Sequence, residues 1–544
     1  MVGLLSVLLP GWSAADERIR ATLTVTLERE GDRPAFRIEG RLNRPTAAFH
    51  FDLPPALHDA VDWQVAEPGL RLAGAMLLRD DGRPLESFAI LVRADRRRID
   101  RQYPLAIAVG SRGLLLRPSF LAGDAAQFRT DITVTAGDGM RLIGRATHAA
   151  AALERPGPDQ DARVAIVPAG EVRDEGFALF VTPADMDMGL RAEIVAQTRR
   201  VLSFYSERLG RAPAAPPAIL LGLEELGRGG LRGDTSAGPM MVLRTGGSWA
   251  AFDPGQSGRL HRVIAHEAFH FWNAELIRPQ GQPHHPWLHE GGAEYAALLA
   301  LLHAGRMDGA QARSMLEDAL DDCADQLGAR ALQAGGDAAR GRTPYACGTA
   351  LHWMADLALR RRGGGVLDVW REMIADGGAD YGPDDFLRRA FPGEMPAAAR
   401  IVLVGEGTER WAALPGALAG LGAEVAVGPP RPEKQTARML MHLLQASCGK
   451  GPFGFWTRQG RLDLDTNESC GPLSGGPGID RAEGHPLPAG AADAYAAASR
   501  KCAAGQPVSL GVAGSTRTIE APCPKPLPAA PGTFRIVRGG PPFS

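Results

Sequence analysis

One stretch, Ala265 to Asn273 or AHEAFHFWN, constrains this chain more than any other. Residues four apart share one face of an α-helix, with Cβ atoms about 5–6 Å apart. His266 and His270 can therefore aim their rings at a common point if the stretch is helical, with Glu267 beside that face. HExxH of this form is a two-histidine zinc motif with an adjoining base. A catalytic zinc needs a third protein ligand and an open position for water. WLHEGGAEY supplies the candidate, because Glu290 lies twenty positions after His270 at the start of a second helical run. The intervening IRPQGQPHHP, rich in proline, allows that run to fold back on the first. The expected centre is one Zn2+ held by His266, His270 and Glu290, with Glu267 as the catalytic base. The competing arrangement is two core histidines satisfied by backbone and a solvated glutamate. His284, His285 and His289 read as loop or supporting residues, and Gly291-Gly292 as a device keeping side-chain bulk away from the metal.

The periodicity around the motif sets the organisation. From about Ala21 to Thr182, runs such as ATLTVTLE, SFAILVRA and ARVAIVPA alternate with period two. Such patterning predicts antiparallel sheet in a sandwich-like β domain, residues 16–184. Near Asp185 the apolar period changes to three and four, beginning with MGLRAEIVAQTRRVLSFYSERLG, and helices dominate from Leu260. Residues 185–427 read as a mostly helical domain, and GPPRPEK marks a linker at 428–435. Short strands and the helix AADAYAAASRKCAAG follow in a small α+β domain, 436–544. The fold class is therefore multidomain α+β, as 544 residues allow.

Charge and cysteine content narrow the function classes. A formal net charge of −2 gives no electrostatic case for nucleic acid or an anionic membrane. No run of about 20 apolar residues predicts stable membrane insertion. MVGLLSVLLPGWSAADER places a short apolar run before Ser13-Ala14-Ala15, so residues 1–15 form a candidate signal peptide, though one without an early Lys or Arg. The competing reading is an apolar N-terminus on a cytosolic protein. Six cysteines, none in a CxxC pair, fit disulfides in a periplasmic or secreted protein. Cys323–Cys347 plus two bridges among Cys448, Cys470, Cys502 and Cys523 is the expected set, with the pairing of the last four open.

HEAFHFWNAELIRP followed by PWLHEGGAEYAA resembles the glycyl aminopeptidase family of zinc metallopeptidases, of the gluzincin clan. The resemblance runs from roughly Asp185 to the end and is strongest at the zinc motif. It implies a thermolysin-like helical domain acting on peptide or protein substrates, and a terminal domain similar to a degenerate PDZ module. RTPYACGTALHWMADLALRRR resembles the family's Tyr-x-Lys-Gly helix, which implies Tyr345 as a transition-state hydroxyl; Cys347 replaces the lysine. RGGLRGDTSAG stands where the family carries a Gly-Gly-Leu-Glu-His-like strand, which implies Gly229, Gly230 and Arg232 in substrate binding. Arg232 occupies the place of a glutamate that would hold a free amino group, and an arginine cannot pair with an ammonium. Glu224 or Glu225 as a substitute, a carboxylate bound by Arg232, and a solvated Arg232 all stay open. Trp272 is expected to pack; Asn273 either orients a histidine or caps. The function implied is an aminopeptidase-like zinc peptidase on exported peptides. The alternatives are a weakened homologue that binds peptides through its terminal module, or a zinc hydrolase with endo- or non-peptide specificity. The terminal module itself reads either as a strand-addition groove or as a structural cap.

Overall fold

The computed structural model describes residues 18–539 except 31–32, 55–56, 59–60, 95–103, 145–149, 155–162, 225–229, 237, 247, 280–284, 336–340, 378–379, 450–452, 459–460, 467 and 529–531. The candidate signal segment 1–15 and the possible substrate residues Glu225 and Gly229 lie outside the described residues. Two compact units divide the chain, Met1–Val172 and Arg173–Ser544.

The first unit is β-rich. A six-stranded sheet runs in the order 150–154, 128–135, 19–30, 33–46, 85–93, 63–65. Alternation works as expected in its central strand: Ala21, Leu23 and Val25 are buried while Thr22 is exposed. These side chains share one apolar core with Leu114, Leu116 and Ile166 of neighbouring strands. One pairing departs from the antiparallel expectation. Ile19–Glu30 pairs in parallel with Phe128–Thr135, because a long intervening chain lets the later strand return in the same direction.

The second unit begins before the period change near residue 185. Leu179–Val181 pairs in parallel with Ala218–Glu224, which pairs in parallel with Met240–Gly246. Two short strands, Leu231–Arg232 and Thr235–Ser236, add antiparallel to Met240–Gly246. Helix α2 (Ser257–Asn273) packs against this sheet edge, α1 (Met188–Leu209) and α3 (Pro286–His303) pack on α2, and α5 (Thr343–Arg360) joins α3 to α4 (Gly309–Leu327). From Ile264 to Asn273 every residue of α2 is buried, so the motif helix runs through the core. Trp272 packs as expected, edge-on to Tyr205, and its Nε1 donates to the Arg211 carbonyl at 2.7 Å.

Helices α3 and α5 cross through glycine. A Cβ on Gly291 would meet the Gly348 Cα at 2.2 Å, and one on Gly348 would meet the Trp287 carbonyl oxygen at 2.1 Å. The reading of Gly291-Gly292 as clearance for a metal is thereby corrected: Gly291 is required by helix α5, and Gly292 by Trp370 and His352.

Toward the C-terminus, α10 (Pro432–Cys448) follows helices α6 (Val366–Ala375), α7 (Pro383–Ala390), α8 (Ala397–Leu403) and α9 (Arg410–Ala419). It starts inside the span 428–435 read as a linker, because Arg431 is pinned to Asp318 and Asp321 of α4 at 2.6 Å each. A five-strand path, with Ala491–Ala503 as its helix, forms the terminal module. The final strand, Thr533–Arg538, leaves that sheet and pairs with Glu424–Gly428. All six cysteines are paired: Cys323–Cys347 as expected, then Cys448–Cys470 and Cys502–Cys523. No described helix is long and apolar enough to cross a membrane.

Gly291→Ala is expected to cost about 1–3 kcal/mol through overpacking of backbone against backbone. Chemical denaturation should show a lower midpoint with an unchanged slope; an unshifted midpoint would remove the crossing as a constraint.

Candidate metal centre

The ladder between α2 and α3 builds the site. Glu290 Oε2 lies 3.2 Å from His266 Nε2 and 3.7 Å from His270 Nε2, and the two ring nitrogens are 3.3 Å apart. One turn further along α3, Glu294 reaches back to Arg262, one turn earlier on α2, with bonds of 3.1 and 2.8 Å. The rungs advance in opposite directions, so the two helices are antiparallel, as the proline-rich turn predicted.

The triangle fits a metal. Ligands about 2.0–2.1 Å from a tetrahedral zinc stand about 3.3–3.4 Å from one another. The three observed separations bracket that edge, and two nitrogens with one carboxylate oxygen are a donor set zinc accepts. The rings are also oriented. His270 Nδ1 donates to Asn273 Oδ1 at 2.8 Å, while Asn273 Nδ2 donates to the His289 carbonyl at 3.0 Å. That amide cannot turn over without losing both bonds, so Nδ1 of His270 carries a proton and Nε2 is the ring atom turned toward Glu290 and His266. His266 Nδ1 faces Glu294 Oε1 at 3.7 Å. His289 stacks on His270 with ring centroids 4.4 Å apart, its Nδ1 bonded to the Tyr381 hydroxyl at 2.9 Å. It supports the ligand ring as expected. His284 lies outside the described residues.

Burial and charge set the protonation of the site. Burial works to raise the Glu290 carboxyl, but hydrogen bonds with His266 and His270 outweigh it and hold it well below the usual carboxylate range. Burial pushes Glu267 up, against the pull of the same two histidines. The Thr235 hydroxyl lies 2.8 Å from the Glu267 carbonyl and 3.1 Å from its Oε2. Gly233 lets the strand come this close, since a Cβ there would meet Glu267 Cγ at 2.3 Å. Tyr345 lies over His266, ring centroids 5.8 Å apart and 25° between planes. Burial and then the Glu290, Glu267 and Glu294 carboxylates raise its hydroxyl far above 10, so it is a protonated donor at neutral pH.

The remaining candidates stand beside this centre. Gly230 gives its carbonyl to the Thr245 hydroxyl at 3.2 Å and to the Gly246 amide at 3.1 Å. Arg232 Nη1 faces Glu224 Oε1 at 3.7 Å, and Arg244 holds the other Glu224 oxygen at 2.6 Å. Glu224, one of the substitutes considered for an amine anchor, is thus buried and already compensated by two arginines. Thr235, Gly233 and Glu294 were missed; only Glu294 carried a signal, lying one helical turn beyond Glu290. A second grouping, His442 with Cys502 and Cys523, holds no metal because its two sulfurs are bonded to each other.

Asn273→Ala is expected to weaken zinc retention about 10–100-fold by freeing the His270 ring. Competition against a chromogenic chelator measures it; unchanged retention would show that the ring is held by other contacts.

Residues 259–340 match the model of the M61 glycyl aminopeptidase family. An aminopeptidase N family protein from Idiomarina loihiensis is similar in structure at 12% identity, covering 95% of this chain and 98% of that chain with a TM-score of 0.57. Yeast LTA4 hydrolase in complex with bestatin aligns at 12% identity over 73% of this chain and 71% of its own, with a TM-score of 0.41. The comparison with curated proteins returned no match. At such identity the first likeness establishes the multidomain α+β fold of an aminopeptidase N-like protein and nothing more. Residues 259–340 carry the M61 glycyl aminopeptidase signature of a zinc metallopeptidase, and the His266, His270 and Glu290 cluster within them fits its zinc site.

Proposed function

We propose that the chain is an aminopeptidase-like zinc peptidase acting on exported peptides, with His266, His270 and Glu290 as ligands and Glu267 and Tyr345 as catalytic residues. The observation that carries this reading is the conjunction of the ligand triangle with a buried carboxyl and a protonated phenol at its border. Zinc, when bound, supplies Lewis acidity and a water whose pKa falls from about 15.7 toward 7. Glu267, steadied by Thr235, accepts a proton from water and returns it to the leaving amine. Burial raises its basicity, which suits it to both transfers. The Tyr345 hydroxyl donates to the carbonyl oxygen as negative charge develops there. Gly230 and Arg232, on the strand edge beside Glu267, are the proposed substrate-binding residues of the described chain; Gly229 completes that set.

The three disulfides fit an oxidising compartment and support a periplasmic or secreted location. The terminal module keeps its resemblance to a degenerate PDZ domain as part of this proposal, and the domain limits 16–184, 185–427 and 436–544 are proposed with it. Glu224 is bound to Arg244 and Arg232, so it is not open to hold a free amino terminus. A peptidase indifferent to the amino terminus is the second reading that this pairing favours.

Glu267→Gln should keep its zinc and lose peptide hydrolysis by a factor of about 100 or more. Metal analysis with turnover of chromogenic peptides, with and without chelator, decides it; zinc-free wild-type protein with full activity would end the proposal. Tyr345→Phe is expected to lower kcat about 100-fold with little change in KM. A normal kcat would take Tyr345 out of the reaction. Peptides with free and blocked amino termini, run on the same enzyme, separate the aminopeptidase reading from the second one.

A further inference from the structure

The phenol assigned to the reaction stands on the least secured part of its helix. Tyr345 is the third residue of α5, and no side chain caps the start of that helix. The first amides of a helix have no acceptor within it, so an uncapped first turn opens readily unless tertiary contacts hold it. Toward α4 those contacts are incomplete. A cavity of about 110 Å³ lies there, lined by Met315, Ala319 and Asp322 of α4 and by Tyr345, Ala346 and Thr349 of α5 among others. Tyr345 borders open space on that flank, in place of the close packing that fixes side chains in a core.

Two bonds cross from α4 to this part of α5. The buried Thr343 donates its hydroxyl to Gln326 Oε1 at 3.1 Å. Cys347 is joined covalently to Cys323, and both are buried. Successive residues turn by about 100° around a helix axis, so Cys347 leaves α5 about 200° from Tyr345. The phenol ring therefore lies over His266 of α2, while the sulfur is anchored to α4 from the far side of the helix. A tether opposite the phenol resists rotation of α5 about its axis and sliding along it. Gly348, the next residue, lies against Trp287 and Gly291 of α3. Thr349 Oγ1 donates to the Tyr345 carbonyl at 2.7 Å, which links the phenol's own residue to this clasped turn.

We propose that Cys323 and Cys347 are positioning residues for the Tyr345 hydroxyl, their bond holding the first turns of α5 against α4, with Thr343 and Gln326 as a weaker second tether. The proposal rests on the reading of Tyr345 as hydroxyl donor and deepens it by naming what fixes that donor. A hydroxyl that stabilises developing charge acts only from a narrow range of positions, and a shift of about 1 Å can cost about 100-fold in rate. The zinc ligands do not share this dependence, because they stand on α2 and α3. Loss of the tether is therefore felt in turnover and not in metal binding.

The test is a double-mutant cycle on zinc-loaded protein. Wild type, Cys323→Ala with Cys347→Ala, Tyr345→Phe, and all three changes together are compared in kcat, KM and zinc retention on one chromogenic peptide. The paired alanine variant is expected to lose about tenfold or more in kcat, with KM and zinc retention within about twofold of wild type. In the Tyr345→Phe background the same pair should change kcat by less than about twofold, since no hydroxyl is left to misplace. A bond that only stabilises the fold would lower kcat by one factor in both backgrounds. That result overturns the proposal, as does an unchanged kcat where Tyr345 is present. If Tyr345→Phe alone keeps its kcat, or no peptide is cleaved, the reading of Tyr345 fails separately and hydrogen exchange judges the tether. Amides of residues 346–353 should then exchange about tenfold or more faster in the paired alanine variant while those of α2 keep their rates, and unchanged exchange overturns the tether. Should that variant not fold, Thr343→Val takes its place in both measurements, with an expected effect of about threefold and the same overturning results.

Discussion

The registration of α3 against α2 is the contact on which the site depends. Each residue along an α-helix turns the side chain by about 100°. A slip of one position would therefore carry Glu290 out of reach of both rings. Two features fix the register. Glu294 grips Arg262 one turn beyond the ligand, making a second rung of opposite charge. Gly291, between them, accepts the backbone of α5 at a distance no side chain would permit. The ligand glutamate is thus set by an ion pair on one side and by glycine contact on the next. Its position does not rely on the bonds it makes with the histidines.

A second constraint acts on Glu267. Its carboxyl is buried beside two imidazoles and would be drawn toward them unless something held it from the other side. The strand edge does so: Thr235 bonds it, and Gly233 lets the backbone lie against its Cγ. Glu267 and the two histidines therefore come from one helix but meet different neighbours, α3 for the histidines and the sheet edge for Glu267. The division keeps the carboxyl of Glu267 distinct from that of Glu290. The first is raised by burial, while the second is held low by its hydrogen bonds with the histidines.

The candidate metal cluster was legible in the sequence because helical spacing alone fixes His266 against His270, and a proline-rich turn announces the return of Glu290. Tyr345 was legible only through resemblance to a family. What escaped depends on register between elements. Thr235 and Gly233 sit in a loop-like stretch whose approach to Glu267 follows from a two-residue strand pairing with Met240 and Met241. The glycine pair after Glu290 was visible, but its partner Gly348 is far along the chain, so its purpose was misread. Alternation gave the strands of the first unit and not the parallel pairing of Ile19–Glu30, since period two marks a strand and not its direction.

The same limit explains the terminal module, which the linker-like GPPRPEK made appear detached. Residues 431–438 of the chain run alongside 318–325 of α4: Arg431 meets Asp318 and Asp321, Lys434 meets Asp322, and Arg438 meets Asp325. Asp321 is buried but the other groups keep contact with solvent, where such pairs contribute about 0–1 kcal/mol each, so the ladder alone would be a weak joint. Two backbone bonds strengthen it. Asp321 accepts the buried Phe534 amide at 2.7 Å, and Glu317 accepts the Ile536 amide at 2.8 Å. Leaving those amides without acceptors would cost about 1–3 kcal/mol apiece. Helix α4 is in turn bonded through Cys323 to Cys347, two residues past Tyr345. A continuous path of covalent and buried polar contacts thus runs from the last strand of the chain to the phenol over His266. That path weighs toward a structural part for the module in holding α5, independent of whether its own sheet also receives a peptide.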